Sequence, residues 1–204
     1  MTWHIKWHFP ESLQFCSYVA EHEGYQFDLA GPAITAQEAE WRTWLTQLLD
    51  STCRQDSEGQ TLSQDESHDA QLREFMAYYD APAFNQLSSL PGLRSRCQRL
   101  WPDFRAWWSR TDGEKQRLNR QLHQQLARLN LNRLVRHCMR AANKSTTPDF
   151  ALKVYLMRWP EHLYRRQSDH CFIADTNLIM RDQVDRLRSL LQTHMIELIG
   201  QQST

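Results

Sequence analysis

No run of apolar residues in this chain approaches the ~20 that a helix needs to cross a bilayer. The first residues, Met1 to Lys6, lack the apolar block of a secretory leader, so none is expected. C-x-x-C is missing, and the five cysteines (Cys16, Cys53, Cys97, Cys138 and Cys171) are odd in number and widely spaced. This argues against a disulfide framework or a structural zinc knuckle. It points to a reducing compartment, with a bacterial cytoplasm as the expected setting. There are no internal repeats, and no G-x-S-x-G, P-loop or G-x-G-x-x-G pattern is present. No nucleic-acid module signature is visible either.

Net charge is missing as well, but only in the sum. Residues 1–91 hold 4 Lys and Arg against 14 Asp and Glu, a balance of −10. Residues 92–144 hold 13 against 3, a balance of +10, and residues 145–204 hold 7 of each. Two readings follow. An acidic first half can neutralise a basic middle within one fold, or the basic segment can face a nucleic acid.

What is present is mostly helical signal. The stretch from Glu114 to Lys144 carries Leu118, Leu122, Leu126 and Leu129 at three- and four-residue steps. Leu134, Val135 and Cys138 continue the stripe after a local shift. No proline or glycine interrupts it, so one long central helix is expected. Its other faces are basic, and Arg117, Arg120, Arg128, Arg133 and Arg136 are the candidates for meeting nucleic acid or another partner. Trp101, Trp107 and Trp108 lie just before it, where they can stack on bases or form the contacts of packed helices.

Trp3, Ile5, Trp7 and Phe9 alternate with His4, Lys6 and His8, which predicts a half-buried strand. His4 and His8 would stand ~13 Å apart along it, too far to share an ion without other ligands. Pro10 opens a predicted helix to about His22, and Gly24 stops it. A short strand is expected over Tyr25 to Leu29. Thr35-Ala36-Gln37-Glu38 has the form of a capping box before a helix to about Leu49. Residues 50–69 are acidic, rich in Ser and Gln and nearly free of apolar residues, so a mobile loop is expected there. Helix returns at about Ala70 to Tyr79. Leu93 to Leu100 is expected to be helical and to break at Trp101-Pro102, with helix again from Asp103. Ala151 to Trp159 and His170 to Met180 read as strands, with a charged loop at Glu161 to Asp169 between them. Asp182 to Ile199 is a final amphipathic helix.

The order strand, charged loop, strand, then a helix carrying Thr193-His194-Met195-Ile196-Glu197 resembles the core of the zincin metallopeptidases. In that family an H-E-x-x-H helix packs under a small sheet, two histidines hold zinc and the glutamate activates water. Laid on Thr193 to Glu197, the family's first ligand is Thr193, its catalytic acid is His194 and its second ligand is Glu197. The inverted H-x-x-E-H pattern fits His194 and Glu197 but puts Leu198 in a ligand position. The seven residues after Glu197 hold no His, Asp, Glu or Cys for a third ligand. The resemblance thus implies a degenerate unit, lacking standard zinc-peptidase chemistry.

The residues still leave a metal open. His194 and Glu197 share a helix face at i and i+3, and His170 could join them. His170-Cys171 and His137-Cys138 are adjacent pairs whose side chains diverge, which counts against a nucleophile–base couple.

The expectation is a single mostly helical α+β domain over residues 1–204. Its small sheet, the N-terminal strand with two C-terminal strands, packs on the long central helix and the C-terminal helix. The expected function is non-catalytic binding or regulation, without a cofactor, through a protein partner or self-association and away from membranes. The alternatives are a zinc-dependent hydrolase with non-standard ligands and a nucleic-acid-binding protein.

Overall fold

A computed structural model describes residues 3–27, 31–54, 79–145, 150–159, 164–168, 170–180 and 183–201. In chain order its elements are β1 (Trp3–His8), α1 (Glu11–Glu23), α2 (Ala36–Arg54), α3 (Pro91–Ser109), α4 (Glu114–Leu129), α5 (Leu131–Ala141), β2 (Phe150–Met157), β3 (Tyr164–Ser168), β4 (Cys171–Asp175) and α6 (Val184–Gln201). Short 3-10 turns occupy Asn85–Leu87 and Thr176–Ile179. The fold is mostly helical α+β with a small mixed sheet. The chain falls into two compact units. One, Met1–Phe9 with Thr111–Thr204, holds the sheet; the other, Pro10–Arg110, is helical.

In the helical unit Pro10 caps α1, and Gly24 ends it in the left-handed region, its N–H bonded to Ala20 O. Thr35 Oγ1 accepts the Glu38 N–H at 3.1 Å, as the capping box requires. The return bond differs by one residue, because the Glu38 carboxylate takes the N–H of Ile34. α2 then runs on to Arg54, past the expected end near Leu49. The rest of the expected acidic loop, residues 55–69, and residues 70–78 of the next expected helix lie outside the described residues. No strand forms at 25–27, where the Tyr25 ring instead packs on Trp41 and its hydroxyl accepts from Arg96. Residues 28 and 29 of that expected strand are also outside the described residues.

The expected break at Trp101-Pro102 does not occur. α3 continues through Pro102, although an interior proline costs a helix about 3 kcal/mol. Packing overrides that cost. Phe15 of α1 sits 5.1 Å from the Trp101 ring, 5.0 Å from Phe104 and 5.3 Å from Phe84. Fully burying each large ring is worth about 1.5–3 kcal/mol, so this cluster on both sides of Pro102 outweighs the lost hydrogen bond. The bases of α3 meet acids of α1, with Arg96 and Arg99 on Glu23 and Arg105 on Glu11. This part of the basic middle is thus neutralised by the acidic first half.

In the sheet unit the strand order is β1-β2-β4-β3. β1, β2 and β4 are parallel, while β3 runs antiparallel to β4 at the edge. β1 keeps its expected alternation, with His4, Lys6 and His8 exposed. All five residues of β4 are buried, and the second half of β2 is buried on both faces, as in parallel strands covered on both sides. β3 replaces part of the expected charged loop. Its Tyr-Arg-Arg-Gln-Ser composition suits an edge, where charge discourages further strand pairing.

The long central helix is interrupted. Asn130 adopts φ 48° and ψ 69°, ends α4 and begins α5. After glycine, asparagine is among the residues that visit this left-handed conformation most readily, and its side chain caps α5 by accepting the Arg133 N–H at 3.2 Å. The bend re-aims the second half of the stripe, so Leu134, Val135, Cys138 and Met139 are all buried. On α4 the buried set is Leu118, Leu122, Gln125 and Leu129, with Gln125 Nε2 donating to Met180 O. Replacing Asn130 by alanine is expected to cost about 1–2 kcal/mol in urea unfolding, from the left-handed backbone and the lost cap. Asn130→Gly should cost less than half of that, and equal losses would contradict this account.

Candidate functional site

The bend at Asn130 creates a cationic concavity in the sheet unit. On a straight helix Arg128 and Arg133, five residues apart, would point roughly 140° away from each other. With the bend, both line one cavity of about 400 Å³, together with Leu129, Asn130, Leu134 and His137. α6 supplies the opposite wall through Arg188 and Gln192, one helical turn apart. The Gln192 amide nitrogen lies 3.1 Å from His137 Nε2, so the amide donates and the imidazole accepts. Cys138 contacts Gln192 O at 3.8 Å and ties α5 to α6 behind the groove. Arg188 pairs with Asp185 on its own helix, an exposed pair of little strength.

The five arginines taken from the sequence part company here. Arg128 and Arg133 line the groove. Arg117 is engaged elsewhere, held by both carboxylate oxygens of Glu114 and by Gln121, and its hydrogen bond to Glu114 raises its pKa. Arg120 and Arg136 are exposed outside the groove, and Arg136 Nε donates to Asn132 O. Sequence reasoning missed Arg188 and Gln192, whose only signal was their i, i+4 spacing on the last helix.

The three candidate metal ligands have separate attachments. His194 is 2% exposed, its Nδ1 lies 3.2 Å from the Tyr164 hydroxyl, and its ring lies 5.1 Å from Phe172. Glu197 is exposed and pairs with Arg166 of β3. His170 is exposed, its Nδ1 donating to Ala151 O across β2 and β4. Among the described residues no group of three or more His, Cys, Asp or Glu gathers to hold a metal. His170 and Cys171 differ in burial, as do His137 and Cys138, which fits their divergent directions. In the helical unit Trp108 is buried, and Trp101 and Trp107 pack against Phe104.

A second basic feature lies on the sheet. Lys6 of β1 stands opposite Lys153 of β2, and the His8 ring stacks on Tyr155 at 5.2 Å. Partial desolvation of the His8 ring, first, and then the nearby Lys153 and Lys6 lower its pKa below the ordinary value of 6.5.

No family model, curated protein or solved structure matches this chain.

His194 and Glu197, three residues apart, should respond unequally to truncation. His194→Ala opens a cavity between Phe172 and Tyr164 and is expected to lower stability by about 2 kcal/mol. Glu197→Ala removes an exposed pair and should cost no more than about 0.5 kcal/mol in the same unfolding assay. For His8, folded and unfolded chains are both mostly neutral well above pH 6.5. As pH falls through that value the unfolded chain takes the proton first, so folding stability drops. The urea midpoint should decline from neutral to mildly acid pH, and less steeply in His8→Phe.

Proposed function

We propose that this chain is a non-catalytic binding protein whose sheet unit engages nucleic acid through phosphate contacts. The observation that carries this reading is the convergence of Arg128, Arg133 and Arg188 from three helices on one groove. The charge of the unit supports it. The residues of the sheet unit include 16 Lys and Arg against 9 Asp and Glu, a net of +7. The helical unit holds 8 against 15, a net of −7. Non-specific phosphate binding goes with a basic domain, which the whole chain is not and the sheet unit is. No aromatic ring other than His137 lines the groove, so the contacts it offers are to the phosphate backbone more than to stacked bases.

The zincin likeness enters this reading as a likeness of fold only. Its support is the order of β2, β4 and α6, with His194 of α6 lying against Phe172 of the sheet, although β3 stands where the likeness expects a loop. A cytoplasmic setting is part of the same proposal and has the support of the buried thiols Cys16, Cys97 and Cys138. Among the described residues no helix is long and apolar enough to cross a membrane.

Fluorescence anisotropy with a labelled single-stranded oligonucleotide, followed from about 50 to about 300 mM salt, tests the proposal. Binding should weaken along a log–log line, and three phosphate contacts correspond to a slope near −2. Exchanging Arg128, Arg133 and Arg188 together for glutamine should flatten the line by about that amount and weaken binding at least tenfold at the lowest salt. Arg117→Gln should change little. No binding at the lowest salt, or a slope that the triple exchange leaves untouched, would remove the groove from consideration.

A further inference from the structure

The other face of α6 carries a second cavity with different chemistry. It measures about 320 Å³ and is lined by Tyr164, Arg186, Ser189, Leu190 and Thr193. Arg186, Leu190 and Thr193 follow one another at helical spacing and share a face. Arg188 and Gln192 of the cationic groove are each two residues further on, roughly 200° around the helix. The two cavities are therefore independent, and so are their tests.

Tyr164 is what makes this cavity more than a surface hollow. It begins edge strand β3 and is 43% exposed, an unusual setting for a large ring. Its ring packs on Phe172 at 5.5 Å, and its hydroxyl reaches inward to Nδ1 of His194, 3.2 Å away. His194 is nearly fully buried and cannot swing out without losing its packing on Phe172. The phenol is thus held in place before any ligand arrives, which removes part of the ordering cost of binding. The site calls for the Nδ1–H tautomer of His194, which donates to the phenol oxygen and leaves the phenol proton for a ligand oxygen. Burial raises the Tyr164 pKa, with Arg166 opposing and Glu197 adding to the rise, and the phenol keeps its proton at neutral pH.

The remaining walls define the ligand. Arg186 is the only cation among the lining residues. A single guanidinium fork matches a planar carboxylate in a bidentate pair, whereas a phosphate dianion calls for more positive charge. Leu190 and the face of Tyr164 offer an apolar surface beside it. The Thr193 hydroxyl donates to Ser189 O within the helix, which leaves its oxygen as an acceptor. A volume near 320 Å³ suits a small molecule. We propose that Arg186 and Tyr164, the latter positioned by His194, form a binding site for a small organic carboxylate with an apolar body. The carboxylate pairs with Arg186, the body lies over Leu190 and the Tyr164 ring, and the phenol hydrogen-bonds a ligand oxygen.

Benzoate, benzamide and inorganic phosphate are the probes, each titrated to about 50 mM against the full chain by saturation-transfer and shift-perturbation NMR. Benzoate should bind saturably and more tightly than the other two. Arg186→Gln should abolish the preference for benzoate over benzamide. Tyr164→Phe, which keeps the ring on Phe172 and removes only the hydroxyl, should weaken benzoate about tenfold. His194 acts through Tyr164, so His194→Phe should weaken benzoate and His194→Gln, whose amide can still meet the phenol, should restore most of the loss. Thermal unfolding of each variant checks that the fold is kept, and Tyr164→Phe on an exposed edge carries the test if either His194 variant fails to fold. No saturable benzoate binding, equal binding of benzamide, tighter binding of phosphate or an unchanged Tyr164→Phe would each overturn the proposal.

Discussion

Asn130 is held at φ 48° and ψ 69°, and the passage from α4 to α5 depends on that strained residue. If the chain ran straight from Glu114 to Ala141, the apolar stripe of its second half would be rotated away from the stripe of its first. Either α5 would then lose its contact with α6, or α4 would lose its contact with α6 and the Thr176–Ile179 turn. The left-handed residue reconciles the two stripes. It costs roughly 1–2 kcal/mol of backbone strain, offset in part by its own side-chain cap on Arg133 N–H. The same turn brings Arg128 and Arg133 into one concavity. Packing and electrostatics here have a single cause: the residue that lets the core close also gathers the charge.

The charge segregation of the sequence does two different things. In the helical unit it is used internally, since Glu23 and Glu11 of α1 take Arg96, Arg99 and Arg105 of α3. These pairs are partly exposed and contribute little each, and the rings of Phe15, Phe84, Trp101 and Phe104 dominate that core. On the basic face of α4 and α5 the balance is different. Glu114 answers Arg117 and Asp185 answers Arg188, and the groove still gathers three guanidinium groups, those of Arg128, Arg133 and Arg188. Like charges gathered around a concavity repel one another, a cost that an anionic ligand would relieve.

The elements legible in the sequence were those whose pattern is set locally. β1 alternates because one face is covered, and α1 is bracketed by Pro10 and Gly24. β3 was not legible, because an edge strand carries charge for the same reason a loop does. The passage of α3 through Pro102 was not legible either, because its warrant is Phe15, some ninety residues earlier in the chain. The bend at Asn130 left one trace, the shift of the leucine stripe, and an asparagine placed at that shift was its sign. For the groove the residue type was legible and the selection was not. Nothing local distinguishes Arg128 and Arg133 from Arg120 and Arg136, and Arg188 joins them only through tertiary packing.

His194 and Glu197 show what helical spacing does and does not settle. Three residues apart, they occupy neighbouring positions on α6, yet one is buried against Phe172 and the other is exposed on Arg166. Spacing fixes direction to within a turn, while the packed surface beneath decides the chemistry. Here that surface is the edge of the sheet, and β3 meets α6 through two alternate residues, Tyr164 and Arg166. Alternate residues of a strand share a face, so one strand presents a phenol to His194 and a guanidinium to Glu197. The imidazole is thereby engaged in orienting a tyrosine at the mouth of a cavity. For that reason the chemistry of this face of α6 is better read from Tyr164 and Arg186 than from the motif that first drew attention to His194.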